Sequence, residues 1–179
     1  MDVGTINSYW QAHMDLLANP PPLDLNNRSW IIHTRTEERP PVRIYAGAEI
    51  IDSLISDGCV IEPGARVVKS ILSPGVTVKA GSVVNESILL TGSTVENDVI
   101  VQRAILDKKV VVGSKSRIGD QLAGKTVILT MVGKNSVLPA NTIMEAGASV
   151  GTDVIPSDFQ DLLVKSGAIV QTRRLPNEI

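Results

Sequence analysis

Side chains able to act as nucleophiles, proton carriers or metal ligands are few and scattered in this chain. It holds two histidines, His13 and His33, and one cysteine, Cys59. A single cysteine excludes an internal disulfide and any multi-cysteine zinc site. Gly113-Ser114-Lys115-Ser116 and Gly133-Lys134-Asn135-Ser136 pair glycine with lysine, as phosphate-cradling loops do. Neither belongs to a G-x-x-x-x-G-K-[ST] setting, in which backbone N–H groups wrap a phosphate. Both fall instead on the corners of a repeat, so the scaffold has to be read before any site.

The 179 residues carry 17 Lys plus Arg against 19 Asp plus Glu, a formal charge of −2. That balance argues against a dedicated nucleic-acid binder, which shows a basic excess or stripe. Apolar residues make up 43% of the chain but aromatics only 3%, so the core must be built from Val, Ile and Leu. No apolar run approaches the roughly 18–20 residues that span a bilayer. Met1-Asp2-Val3-Gly4 lacks the basic and apolar regions of a secretory signal. The expectation is a soluble cytoplasmic protein with neither nucleic acid nor membrane as partner.

Internal repetition organises the middle of the chain. Leu54 to Ser70, Ile71 to Ser87, Ile88 to Ala104 and Ile105 to Gln121 align without a gap at 17 residues each. Three columns are aliphatic throughout. They hold Ile55, Leu72, Leu89 and Leu106; Ile61, Val78, Val95 and Val112; and Val67, Val84, Val101 and Ile118. Columns stand six residues apart, except for one five-residue step per repeat. Three residues after the aliphatic positions lie Gly47, Gly58, Gly64, Gly75, Gly81 and Gly92. These read as corners, where glycine takes φ > 0 freely. Asp98 suits such a corner; Lys109 and Lys115 depart from the pattern, and distorted corners are expected there. After an extruded loop at Gln121–Lys125 the pattern resumes with Val132, Leu138, Met144 and Val150. One residue past each corner comes a small or aliphatic residue. On the short side that set is Leu54, Ile71, Ile88 and Ile105.

A helical period of 3.6 cannot hold residues six apart on one face over a hundred residues, and simple strand alternation gives no corner every six. A triangular coil does both. Each side supplies one inward aliphatic, each turn stacks on the last, and each side becomes a parallel sheet. The usual rule makes parallel crossovers right-handed. Hexapeptides of the form aliphatic-x-x-Gly-small-x resemble those of left-handed parallel β-helices, and the expected fold is that one, mainly β. Its open ends need covers. Asn7 or Ser8 is expected to N-cap a helix running to about Ala18, with Trp10, Met14 and Leu17 on one face. Trp30–Thr34 reads as a strand leading into the coil. Phe159, Leu162 and Leu163 are expected to fold over the far end. The expected units are 1–41 (helix and linker), 42–154 (coil) and 155–179 (cap and tail).

Hexapeptide coils occur in acyltransferases with a histidine base and in anhydrase-like enzymes with several metal-binding histidines. Neither His13 nor His33 lies in the repeats, so both chemistries are disfavoured. His13 reads as a helix-surface residue and Cys59 as core packing.

Asp2 to Leu17 (DVGTINSYWQAHMDLL) closely resembles the DVGT-x-x-x-YW-x-A-x-MDLL segment of ADP-glucose pyrophosphorylases, the glucose-1-phosphate adenylyltransferases. Trp30 to Pro41 is similar to that family's W-x-I-x-T-x-x-E-x-x-PP linker, and Val101 to Lys108 resembles its R-A-I-I-D-K rung. The family's nucleotide-binding catalytic domain opens on G-G-x-G-x-R-L, which nothing here matches. The resemblance therefore implies a C-terminal portion, inactive alone. It matches Asp2 to an aspartate that helps hold the catalytic Mg²⁺; a lone carboxylate does not hold that ion tightly. No cofactor is expected in this chain, and Mg²⁺ is expected in the full-length family enzyme. The resemblance further implies a homo-oligomer assembled through the β-helix, the parent's catalytic domain as partner, and a phosphorylated-metabolite effector. Arginine clusters suit such anions. The candidates are Arg103 with Lys108 and Lys109, and the tail pair Arg173 and Arg174; solvated surface charge is the competing reading. The alternative function is a freestanding hexapeptide scaffold or acyltransferase relative.

Overall fold

The computed structural model of the chain describes residues 3–25, 27–30, 37–119 and 127–175. Its short strands stack into three parallel sheets of six, seven and seven strands, the faces of a prism. The first face runs from Arg43–Ile44 through Val60–Ile61, Thr77–Val78, Thr94–Val95 and Val111–Val112 to Val137–Leu138. The second runs from Glu49–Ile51 to Leu163–Val164, and the third from Leu54–Ile55 to Ile169–Val170. Register follows the 17-residue repeat: Ile61 pairs with Val78, Val84 with Val101, Leu72 with Leu89. Backbone bonds join successive turns, as from Val60 N–H to the Val76 carbonyl at 2.9 Å.

The aliphatic columns fill the axis. Ile61, Val78, Val95 and Val112 are completely buried, as are Leu72, Leu89 and Leu106. Each layer takes one aliphatic side chain per side, with Met144 in one such place and Phe159 packed on the core at the far end. The parallel β-helix expected from the hexads is the observed architecture.

The corners answer two of the expectations differently. Lys109 (φ 59°) and Lys115 (φ 61°) are not distorted; they take the same left-handed conformation as Gly58 and Gly64 (both φ 72°). Stacking on both neighbouring turns enforces the corner whatever residue occupies it. A side chain there costs about 1–2 kcal/mol, partly offset because glycine also frees the unfolded chain. Lys115→Gly is therefore expected to raise stability by about 1 kcal/mol, read as a higher urea midpoint at unchanged slope.

The short side also differs. Leu54, Ile71, Ile88 and Ile105 do not fill its corner; they point outward from the third face. Removing one residue from a corner moves the following residue to the other side of the strand. The inward corner position falls to Ser53, Ser70, Ser87 and Ala104, and the last three are fully buried. The serines form a ladder. Ser70 Oγ donates to the Val68 carbonyl and accepts from Ser87 N–H; Ser87 Oγ donates to the Asn85 carbonyl and accepts from Ala104 N–H. The tight turn is made by Asp52, Lys69, Glu86 and Arg103, at φ 44–47°.

Helix α1 spans Ile6–Asp15 and is capped by Thr5, whose Oγ accepts from Ser8 N–H, not by Asn7 or Ser8. Ser8 Oγ accepts in return from Thr5 N–H, and this reciprocal box fixes the start two or three residues earlier than expected. The helix also ends before Ala18. It does not cover an end of the coil. It lies on the flank of the third face, where Trp10 packs with Ile88 and Leu129. The outward isoleucine column supplies the apolar ground that an end-cap was expected to need.

The coil pattern continues past Val154. A one-turn 3₁₀ helix, Pro156–Asp158, precedes Leu163–Val164 and Ile169–Val170, which extend two faces by another rung. Phe159 packs on the core, while Leu162 is exposed and Leu163 points outward as its neighbour Val164 closes the axis. The strand expected at Trp30–Thr34 and the loop at Gln121–Lys125 lie, save Trp30, outside the described residues. No helix among the described residues is long and apolar enough to cross a membrane.

Candidate functional site

The short-side corners stack into a charged ladder on the outside of the coil. Register places Lys69 over Asp52 and Glu86 over Lys69, with Arg103 next. Arg103 Nε donates to Glu86 Oε2 at 2.7 Å, with both side chains about three-quarters buried. Glu86 has a second tie: its carbonyl accepts Trp10 Nε1–H at 2.8 Å. One residue thus joins the ladder to α1. Between them runs a groove of about 260 Å³, with Trp10, Met14, Leu17 and Ala18 on the helix side and Asp52, Lys69 and Glu86 on the coil side.

The other candidate cations sit elsewhere. Lys108 and Lys109 are exposed at the next corner, beyond the strand Ala104–Leu106, so the structure does not cluster them with Arg103. The tail pair is split. Arg174 Nη2 donates to the Asp153 carbonyl, whereas Arg173 lines an open cleft of about 450 Å³ at the far end of the coil, with Lys165, Asp158 and Asp161. Asp158 accepts the backbone N–H groups of Ile155 and Arg173, at 2.9 and 3.1 Å. The Ile155 bond, then the Arg173 bond, hold its carboxyl below the usual range against its partial desolvation.

The residues with nucleophilic or acid–base chemistry are placed as packing groups. Cys59 is fully buried, its thiol pushed up by burial and donating to the Ser73 carbonyl. His13 lies on α1 with Nδ1 2.8 Å from the Tyr9 carbonyl and its ring against Tyr9's. Burial, then the Asp107 carboxylate, push the Tyr9 hydroxyl up. Asp2 and His33 lie outside the described residues. No group of three or more His, Cys, Asp or Glu side chains that could hold a metal ion is found among the described residues.

Sequence reasoning reached the ladder's Arg103 but missed Glu86 and the groove. The signal was available in Trp10, one of two tryptophans in a chain almost without rings. A tryptophan four residues from Met14 marks a helix face that needs a partner.

The family model for the GlmU-like, C-terminal hexapeptide matches residues 43–132, half of the chain. Glucose-1-phosphate adenylyltransferase of Thermomicrobium roseum is 43% identical over 178 residues, covering 94% of this chain and 41% of that protein. The protein of the same name from Pseudothermotoga lettingae is 39% identical over 172 residues, covering 93% and 41%. That from Thermotoga maritima is 35% identical over 178 residues, covering 96% and 42%. The chain spans about two-fifths of the length of these relatives. Likeness along nearly the whole chain, including the linker and α1 and not only the repeats, goes beyond what a shared coil requires. The chain belongs to the GlmU-like C-terminal hexapeptide family, in the form carried by the C-terminal part of glucose-1-phosphate adenylyltransferases.

Proposed function

We propose that this chain is the regulatory and assembly coil of a glucose-1-phosphate adenylyltransferase. In that reaction a phosphate oxygen of glucose 1-phosphate attacks the α-phosphate of ATP, the bond to the β-phosphate breaks, and the products are ADP-glucose and pyrophosphate. The observation that carries the reading is likeness over 94% of this chain to only 41% of a relative bearing that name. Within the coil, nothing described assembles a nucleophile, a base and an anion cradle, and the hydroxyls of the buried Ser70, Ser82, Ser87 and Ser136 are spent on bonds to backbone groups. The chemistry belongs to a nucleotide-binding domain outside these residues, and the coil acts on it by holding subunits together and by taking up a phosphorylated effector.

Two features support the assembly and effector roles. The first rung leaves Ile44 and Leu54 exposed beside unpaired strand edges, which suits burial against another subunit. Arg103, Lys108 and Lys109 offer cations at two neighbouring corners. Arg103 already donates Nε to Glu86, so an anion at this corner competes with that carboxylate for the guanidinium.

The chain supplied with ATP, glucose 1-phosphate and Mg²⁺ is expected to form no ADP-glucose above a protein-free blank. Light scattering at micromolar concentration is expected to give a mass above the 19.1 kDa of one chain. Turnover in the assay overturns the division of labour, and a strictly monomeric mass overturns the assembly role.

A further inference from the structure

The groove between α1 and the short-side ladder has a composition that packing alone does not explain. One wall is apolar: Met14, Leu17 and the edge of Trp10. The other carries opposite charges one rung apart, Asp52 and Lys69. The spacing of parallel strands, about 4.8 Å, sets the step between them. Among the described residues the ion pairs are Arg39–Glu37, Arg66–Glu49, Lys79–Glu96 and Arg103–Glu86. Lys69 and Asp52 are in none of them. The second acid at the groove, Glu86, is already engaged by Arg103. What remains open is one ammonium and one carboxylate, adjacent, facing an apolar shelf.

We propose that this groove binds a small apolar amino acid as its zwitterion. The ligand's carboxylate meets Lys69, its ammonium meets Asp52, and its aliphatic side chain lies against Met14, Leu17 and Trp10. The chemistry selects this class over others. A simple anion leaves Asp52 facing it with like charge, and a simple cation does the same to Lys69. A neutral hydrocarbon leaves both charges partly desolvated and unpaired. An α-amino acid carries opposite charges about as close together as the rungs allow. The volume, about 260 Å³, sits below the roughly 300–1,000 Å³ of drug-sized sites, which restricts the occupant to a small metabolite. Trp10 forms part of the wall and bonds to Glu86, so occupancy changes the surroundings of a buried indole.

The test uses the full chain carrying Trp30→Phe, which leaves Trp10 as its sole tryptophan; Trp30 is exposed, so the change is tolerated. L-leucine is titrated against Trp10 emission, alongside leucinamide, which lacks the carboxylate, and 4-methylpentanoate, which lacks the ammonium. A saturable change at millimolar L-leucine is expected, about tenfold weaker for either analogue and for L-leucine with Lys69→Ala or Asp52→Asn. A tenfold loss corresponds to about 1.4 kcal/mol for each charge removed. Far-UV circular dichroism verifies that both variants keep the coil. Absence of saturation, equal binding of all three compounds, or binding unchanged by Lys69→Ala overturns the proposal. Amide NMR shifts confined to the Asp52, Lys69 and Glu86 corners are expected on binding; shifts elsewhere and not there overturn it equally.

Discussion

Leu89→Ala is expected to cost about 2–5 kcal/mol, the range for truncating a fully buried leucine. Leu89 is completely buried at mid-coil, in register with Leu72 before it and Leu106 after it. In a rounded core, neighbours from several directions relax into the space left behind. Here the neighbours above and below are fixed by rung-to-rung backbone bonds, so the cavity persists and the upper end of the range applies. The defect also divides the stack, because each turn is stabilised by its immediate neighbours. The control is Ile44→Ala in the same kind of position on the first rung, where Ile44 is 53% exposed. Its cost is expected within about 0.5 kcal/mol, as for surface changes. Urea unfolding followed by circular dichroism reads both. Equal losses for the two variants would show that the axis is not the seat of stability.

Gly133→Ala should be comparably severe for a different reason. A Cβ at Gly133 would meet the Gly151 carbonyl carbon at 2.5 Å and Thr152 N at 2.7 Å. Both are backbone atoms of the next rung, and they cannot step aside without breaking the Gly133 N–H bond to the Val150 carbonyl. Overpacking of this kind costs about 1–3 kcal/mol and more where the backbone must shift. Gly167→Ala separates crowding from conformation: its φ is 75°, yet a Cβ there has nothing within 4 Å. It is expected to lose only the left-handed term, about 1–2 kcal/mol. Thermal unfolding of the pair should place Gly133→Ala several degrees lower. Equal midpoints would mean that the two rungs give way at Gly133 more easily than these contacts require.

The prism was legible because its physics is one-dimensional. Ile61, Val78, Val95 and Val112 repeat at a spacing that only a three-sided coil makes inward, and no long-range coincidence is required. What misled was local. At the short corner the same sequence fits two assignments, since dropping one residue exchanges the roles of Ser70 and Ile71. Small residues take the inward corner, and at Ser70 and Ser87 the hydroxyl also closes the tight turn on the Val68 and Asn85 carbonyls. The corner lysines misled because propensity favours glycine, while two flanking turns impose the angle on any residue. The position of α1 was hidden for a third reason: its partner surface, the outward Ile88 and Ile105, exists only once the corner is assigned correctly. The groove depends on both, and so no spacing rule reveals Asp52, Lys69 and Trp10 as neighbours.

Pairing distances along the chain are unequal: Val95 meets Val112 17 positions on, Val112 meets Leu138 26 on, and Val150 meets Val170 20 on. The walls stay in step all the same: at the last rung the surplus includes the 3₁₀ turn Pro156–Asp158 at a vertex, after which Leu163–Val164 resumes in register with Ile143–Met144. Lengthening such a detour costs little, as closure entropy grows only logarithmically. The vertices are therefore the places where a lineage can try out new appendages, one at a time, without renegotiating the column that carries them.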